Sequence, residues 1–511
     1  MSRLEYQGKV FSAAPGETLL DALLRQGADI THSCRKGSCG CCQLRLLDGS
    51  VDTLREVDAS LTQGSHVLCC VSVPRGDVKL ARPDPNQRLQ QVELLARTQL
   101  AKDTYALDLA PLRMLEFRGG QHVYLIRGDN LARPYSIASR PEDDFSFRIH
   151  VRRRGEMSTW LCEQARIGER MYLRGPHGGC HDRDDLRGRP LLMLATGVGA
   201  GALMAVARDA LAQGHAAPIE FHHGVGDAGD LYLDAELRTL AQQHPNFHYR
   251  PCVSGERTPG AAHGRIVTHA LENRPRLEEH ALLLCGLPAM VEDARVAAIL
   301  ADIPRERILA DPFEFTHSPR PRDAEKVAGM PADPELWAAL EQGPGLTRLL
   351  EAFYARAYED PRLSPFFHNV TRDWAVQKQY EFLSNLFNGN KAYFGLNPYN
   401  AHHWMVISDE LFDYREALFE SVLREAGLAP DLIRRWLALH EQFRTEMVKG
   451  APRGMIIGGV EQPLHNLSVQ RLEIDAVCDG CHGEIAAGAP SRYQYRVGSL
   501  HCAECAGITD A

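Results

Sequence analysis

The feature that most constrains this chain is the grouping of its cysteines: of fourteen, six lie between Cys34 and Cys70 and four between Cys478 and Cys505. The opening stretch, MSRLEYQGKV, has no apolar run behind its first charge, so a secretory leader is not expected. A cytoplasmic, soluble chain is expected instead, where thiols stay reduced and clustered cysteines point to metal rather than disulfides. The first group reads Cys34-x4-Cys39-x2-Cys42 with a distant Cys70, the spacing that holds a [2Fe–2S] cluster. Three thiolates converge from one tight loop and the fourth closes the set from another segment. Gly37 and Gly40 let the backbone pass close to sulfide. A zinc site or simple buried thiols are the other readings of this group.

Length and composition narrow the function classes. The 511 residues imply about three to five domains. Hydrophobic residues make up 44% and charged residues 24%, ordinary for a folded protein and against wholesale disorder. Lys and Arg number 57 against 66 Asp and Glu, a formal charge of −9. That balance offers no basic field for nucleic acid and no polybasic membrane tail. The longest apolar stretch, 190–207, is broken by Gly197, Gly199 and Gly201 and is short for a membrane span.

Around the first cysteine loop, residues 17–26 read as an amphipathic helix and 43–47 as a strand. With these flanks, 1–85 resemble a plant-type ferredoxin domain. Cys41 and Cys69 leave the ligand choice ambiguous by position. The resemblance, through the phrase Leu68-Cys69-Cys70, selects Cys34, Cys39, Cys42 and Cys70.

Residues 86–185 read as short strands with frequent turns, which suggests a small barrel. In Arg133-Pro134-Tyr135-Ser136 an Arg can pair with a flavin phosphate, while Tyr and Ser can stack on and hydrogen-bond a ring. Gly155-Glu156-Met157-Ser158 reads as a turn opening a helix, whose free N–H groups suit a pyrophosphate; Arg152, Arg153 and Arg154 precede it. Residues 190–195 read as a buried parallel strand, and 196–201 as its glycine-rich turn into a helix. Cys285-Gly286 supplies a second turn, and the alternation over 190–310 indicates a doubly wound sheet.

Taken together, 86–315 resemble the ferredoxin–NADP reductase superfamily, and the order of modules resembles the reductases of aromatic-ring dioxygenases. The resemblance implies that Arg133, Tyr135, Ser136, Gly155, Met157 and Ser158 bind FAD. It implies that Gly197, Gly199, Cys285 and Gly286 bind the nicotinamide nucleotide. Ala202 stands where the family often has Pro. Residues 223–227 lack an Arg to pair a 2′-phosphate, so NADH is favoured over NADPH. Phe313 or Phe315 fits the family's terminal aromatic near the flavin.

Residues 317–330 read as an exposed linker. From 331 the pattern turns helical, which periodicity alone would assign to a plain bundle. Phe353-Tyr354, Phe366-Phe367, Gln379, Phe382-Leu383 and His402-His403 instead resemble a truncated globin. The resemblance implies haem b with His402 as proximal ligand, Phe367 packed on the haem, and Tyr354 and Gln379 as a distal pair able to donate to dioxygen held there. Ala375 takes a position where oxygen-storage globins often have His.

At the end, Cys478-x2-Cys481 and Cys502-x2-Cys505 make a closed four-thiolate set suited to structural Zn2+. His501 is an alternative ligand and rubredoxin-like iron an alternative metal. The segment resembles a zinc-ribbon or half-LIM module, which would fold around its metal and offers a surface for a protein partner.

The expected architecture is multidomain: an α+β ferredoxin of β-grasp type (1–85), a β-barrel FAD domain (86–185), an α/β doubly wound nucleotide domain (186–316), a linker (317–330), an all-α truncated globin (331–452), a second linker (453–475) and a small zinc knuckle (476–511). The expected electron order is NADH to FAD to [2Fe–2S] to haem. By resemblance to flavohaemoglobin, the expected reaction is nitric oxide dioxygenation, with the gases O2 and NO and the nicotinamide nucleotide as small-molecule partners. The alternative is an electron-transfer reductase for a separate oxygenase, with the globin as an oxygen or NO sensor or a haem monooxygenase module.

Overall fold

Thr18 caps the helix Leu19–Arg25 by accepting the Asp21 N–H at 3.1 Å, and Leu19, Leu20, Ala22 and Leu23 bury its inner face. A five-stranded sheet covers that face in the order Lys9–Ala13, Ser2–Tyr6, Val78–Ala81, Gln43–Asp48, His66–Leu68. Ser2–Tyr6 and Val78–Ala81 run parallel, which gives the expected β-grasp ferredoxin. The computed structural model describes residues 2–508 except 33–34, 36, 38–39, 55–56, 58–61, 63–64, 83–89, 113, 130, 142–145, 273, 275, 314–321, 368–369, 391–394, 451, 458, 463–468 and 495–498.

The next six strands are antiparallel, in the order Ala132–Ser136, His122–Ile126, Arg170–His177, Gln90–Ala101, Thr104–Pro111, Phe147–Arg152. A bridge between Ile137 and Ile149 joins the two ends into a barrel, so neither edge is left open. Alternate residues such as Val123, Leu125, Ile149 and Val151 fill it.

The nucleotide domain is a six-stranded parallel sheet ordered Ala262–His263, Phe247–Val253, Ile219–Val225, Leu191–Thr196, Ala281–Gly286, Ile308–Pro312. Its central strands are buried along nearly their whole length, as strands covered on both faces must be. The order reverses between Leu191–Thr196 and Ala281–Gly286, so the crevice at their carboxyl ends is where such sheets bind ligands.

The globin is built on the helices Pro344–Glu359, Arg372–Asn388, Asp409–Glu425 and Pro430–Glu441, with the short helix Pro398–Ala401 between the second and third. Thr371 caps one start, and Gly389 in a left-handed conformation ends the same helix. Two expectations about its flanks change. The described part of the 317–330 linker is a helix, Asp323–Gly329, and Asp323 is buried. Asp323 and Lys326 face inward, held by the Tyr399 N–H and by Glu446 and Glu292, while Glu325 stays exposed. The 453–475 tract, unreadable as sequence, contains the hairpin Ile456–Ile457 with Val460–Glu461. The C-terminal module pairs Val469–Arg471, Pro490–Gln494 and Ser499–Cys502.

Neighbouring modules are in contact. Arg174 of the barrel donates to the Gly40 carbonyl in the ferredoxin loop. The helix Pro288–Leu300 of the nucleotide domain packs on Pro430–Glu441 of the globin. There Glu441, 1% exposed, accepts from Arg295 at 2.7 Å, Arg305 at 2.8 Å and Arg444 at 2.6 Å. No helix among the described residues is long and apolar enough to cross a membrane.

Candidate redox centres

The strand Ala132–Ser136 alternates its side chains, so Arg133 and Tyr135 share one face and Ser136 takes the other. Tyr135 packs against the barrel core, and burial pushes its hydroxyl up. Ser136 points to the nucleotide domain, where its Oγ donates to Asp311 Oδ2 at 2.8 Å. Cys285 lies within reach of the same hydroxyl. Burial, with Asp311 and Cys180 adding to it, holds Cys285 as a neutral thiol. Ser136, expected on the flavin, and Cys285, expected on the nicotinamide, therefore meet at one carboxylate.

Two glycine turns interlock behind this junction. A Cβ on Gly199 would stand 2.4 Å from the Cys285 carbonyl oxygen, and one on Gly286 would stand 2.1 Å from Thr196 Oγ1. The backbone must come this close, so the turns form a cradle that fits a nucleotide. Gly197 is left-handed at φ +55°. Its carbonyl accepts from His223 Nε2 at 3.2 Å, while Tyr232 donates to the Val198 carbonyl at 3.3 Å and lies 3.0 Å from His150 Nδ1. Burial pushes His150 down to about 3 and His223 to about 4, so both brace the turn as neutral rings.

On the barrel, Gly155 precedes the helix Glu156–Thr159, and the Gly155 N–H donates to Ser158 Oγ at 2.9 Å. The first-turn N–H groups have no intrahelical acceptor and suit a pyrophosphate. Met157 is 2% exposed in the barrel core, so its backbone N–H is what it offers. Arg152 and Arg153 are not the free charges expected: Arg152 pairs with Asp230 at 3.1 Å and Arg153 with Asp103 at 2.6 Å. Asp311, His150, His223 and Tyr232 escaped the sequence reading. Asp311 and His223 lie near strand ends, His150 inside the strand Phe147–Arg152 and Tyr232 in a turn, and none stands in a motif. Phe313 N–H donates to the Gly286 carbonyl at 2.8 Å; Phe315 lies outside the described residues.

In the ferredoxin, Cys42 and Cys70 are brought together, with the Cys70 N–H donating to Cys42 Sγ at 3.4 Å. Cys34 and Cys39 lie outside the described residues. Cys41 turns the other way and packs on Tyr124, Ile126 and Ala132 of the barrel. Cys69 is fully buried in the ferredoxin core, and burial drives its thiol up, the neighbouring Cys42 adding to the effect. Two buried sulfurs side by side, one of them accepting a backbone N–H, fit a cluster's edge.

In the globin, Tyr354 donates to Gln379 Oε1 at 2.5 Å, which leaves the Gln379 amide nitrogen free to donate. Burial holds the Tyr354 hydroxyl up at about 12. Phe367 meets the Tyr354 ring edge-on at 5.8 Å and stacks on Tyr358 at 4.6 Å. His402 follows the one-turn helix Pro398–Ala401 rather than sitting inside a longer one. Its Nδ1 lies 2.8 Å from the Pro398 carbonyl, and burial pushes the ring down to about 4. A neutral ring with Nδ1–H held this way presents Nε2 as a ligand, so the residues fit a haem. Arg415 exerts its charge on both Tyr354 and His402. His403 Nδ1 is held separately, 2.7 Å from the Asn400 carbonyl.

The Sγ atoms of Cys478, Cys481, Cys502 and Cys505 lie within 4.8 Å of one another. Burial opposes ionisation of Cys478, but backbone N–H groups of Cys502, Cys481 and Gly480 outweigh it and pull the thiol down to about 5. The set fits a tetrahedral thiolate metal such as zinc. His501 is not in that group.

Fold and sites define an oxidoreductase with [2Fe–2S], FAD, NAD(H) and globin-haem modules. Family models agree: a 2Fe-2S iron-sulfur cluster binding domain at 3–75, an oxidoreductase FAD-binding domain at 91–181, an oxidoreductase NAD-binding domain at 193–296 and a bacterial-like globin at 336–449. The reductase subunit of an Amycolatopsis aromatic O-demethylase is 32% identical over 303 residues, 56% of this chain and 90% of that one. The ferredoxin–NAD(P)+ reductase component of the Pseudomonas putida naphthalene 1,2-dioxygenase system is 30% identical over 321 residues, 61% and 97% of the two chains. The crystal structure of an Amycolatopsis cytochrome P450 reductase aligns with a TM-score of 0.45 and 29% identity, over 61% of this chain and 99% of that one. The chain belongs to this family of iron–sulfur flavoprotein reductases, and it carries a bacterial-like globin in addition.

Proposed function

We propose that this chain is an NADH-driven haem oxidoreductase that converts nitric oxide and dioxygen to nitrate. The balance is two NO, two O2 and one NADH giving two nitrate, NAD+ and one H+. When bound, FAD divides a hydride's electron pair, the cluster carries single electrons, and haem holds dioxygen. The carrying observation is the Tyr354–Gln379 pair, its tyrosine buried and its glutamine half-buried, in the same polypeptide as the Ser136–Asp311–Cys285 junction.

The chain's own groups have distinct tasks in this reading. Ser136 and Asp311 orient the hydride acceptor and offer a proton route, while neutral Cys285 packs against the nicotinamide without adding charge. Asp227, at the end of Ile219–Val225, accepts the Gly229 N–H at 2.8 Å. Its carboxylate suits a ribose hydroxyl and repels a 2′-phosphate, which favours NADH. Tyr354 steers the Gln379 amide toward the ligand pocket, and its buried ring helps keep bulk water out.

The test is anaerobic stopped-flow absorbance with NADH, then NO and O2. Haem reduction by NADH followed by two nitrate per NADH supports the proposal. NADH oxidation that leaves the haem ferric would sink it. Likeness to oxygenase reductase components favours a second reading, electron delivery to a separate oxygenase. Full activity toward such a partner after deletion of residues 331–511 would select it.

A further inference from the structure

The helix that delivers His402, Pro398–Ala401, is a single turn and cannot hold its own shape. It is gripped from outside. At its start the Tyr399 N–H donates to Asp323 Oδ2 at 2.8 Å. In its middle Asn400 and the Ile456 backbone exchange two hydrogen bonds of 2.9 Å. Just past its end Lys449 Nζ donates to the His402 carbonyl at 2.6 Å and to the Met447 carbonyl at 3.3 Å. Asp323 and Ile456 belong to the two flanks of the globin rather than to its core helices.

Lys449 is 1% exposed, and its ammonium has no carboxylate within ion-pair distance among the described residues. A buried charge without a counterion is costly, yet the carbonyl it satisfies needs only a neutral donor. Lys449 therefore acts there as a hydrogen-bond donor, tying the His402 carbonyl to the Met447 turn. Asp323 lies on the helix Asp323–Gly329, and one turn further on Lys326 binds Glu446 at 2.9 Å and Glu292 of the nucleotide domain. The same short helix thus holds the proximal turn and the reductase.

We propose that Asp323 and Lys449 are positioning residues for the iron ligand. Resting on the reading of His402 as that ligand, they fix both ends of the proximal turn and so set the tilt of its imidazole.

The experiment uses full-length, haem-loaded protein. Resonance Raman of the ferrous form reads the iron–histidine stretching band. Asp323→Ala should shift and broaden the band, whereas Asp323→Asn, which keeps an acceptor oxygen, should retain it. Lys449→Met should shift the band, with Lys449→Arg, which keeps a donor, restoring it. Folded Asp323→Ala and Lys449→Met proteins with a wild-type band overturn the proposal. Should Asp323→Ala fail to fold, the Lys449→Met and Lys449→Arg pair decides by itself. His402→Ala separates the two levels: a band that survives it removes the ligand assignment, whatever the other variants show.

Discussion

Ser136 Oγ donates to Asp311 Oδ2 at 2.8 Å across the boundary between the barrel and the nucleotide sheet. The two residues are 175 apart in sequence. One belongs to the flavin strand and the other to the last strand of the parallel sheet, beside Cys285. Hydride transfer needs its two rings held in register, and this bond pins the two surfaces that would hold them.

Loss of that bond should slow the first step. A hydrogen bond to a charged acceptor is worth about 1.5–3 kcal/mol, and about 1.4 kcal/mol is tenfold in rate. Ser136→Ala or Asp311→Asn should therefore bleach the flavin with NADH roughly ten- to a hundredfold more slowly. Stopped-flow absorbance at the flavin band measures this, and rates equal to wild type would remove the junction from the mechanism.

Arg174 should act one step later. It is 6% exposed and donates to the Gly40 carbonyl in the cluster loop, next to Cys41 packed on the barrel. Arg174→Ala should leave flavin bleaching intact and slow the visible bleaching of the cluster that follows. A double-mixing experiment separates the two phases. Equal slowing of both would mean that the barrel itself was disturbed.

The distal pair makes a prediction about gas release. Gln379→Ala removes the amide donor directly. Tyr354→Phe removes the bond that orients it. Each should speed dioxygen dissociation by roughly five- to a hundredfold, the worth of about 1–3 kcal/mol. Laser photolysis of the ferrous complex gives the rate. Because burial holds the Tyr354 hydroxyl at about 12, the wild-type rate should stay flat up to about pH 10.

What could be read from sequence follows from where partners lie along the chain. Cys478 and Cys481 announce themselves because members of one thiolate set sit three residues apart in the chain. The strand 190–195 and its glycine turn were legible for the same local reason. Tyr354, Gln379 and His402 needed resemblance, since periodicity describes any helical bundle. Asp311, His150 and Tyr232 carry no local mark, because their roles come from residues 80 or more positions away. Residues 322–330 were misread because Asp323 and Lys326 look solvated in sequence, while their counterparts Tyr399, Glu446 and Glu292 are supplied only by tertiary packing.

The four-cysteine set should hold one metal per chain and fold its module. Structural zinc of this kind contributes about 10–16 kcal/mol near neutral pH. Cys481→Ser should lose the metal by elemental analysis and open the C-terminal segment to protease, with the Soret band unchanged. Retention of stoichiometric zinc in that variant would show that the ion sits elsewhere.

Glu441 should decide whether the globin stays docked on the reductase, and acid should undo it. Its carboxylate faces Arg295 and Arg305 from the nucleotide domain and Arg444 from the globin. Burial works against ionisation, but the three guanidinium groups prevail and hold the carboxyl at about 2, below its ordinary 4.5. A depressed carboxyl contributes stability above its unfolded value and loses it as pH falls toward the folded one. The contribution should therefore be full above about pH 5 and fade between about 4.5 and 2. Glu441→Gln takes the nearest carboxylate from three guanidinium groups that keep Asp409, Asp413 and Glu416 as further partners, so its cost should stay below the about 3–5 kcal/mol of an uncompensated buried charge. Thermal melts followed at the Soret band from pH 7 to pH 3 should show the wild type falling toward the variant as pH drops. Parallel curves for the two proteins across that window would mean that the carboxylate is not what joins the domains.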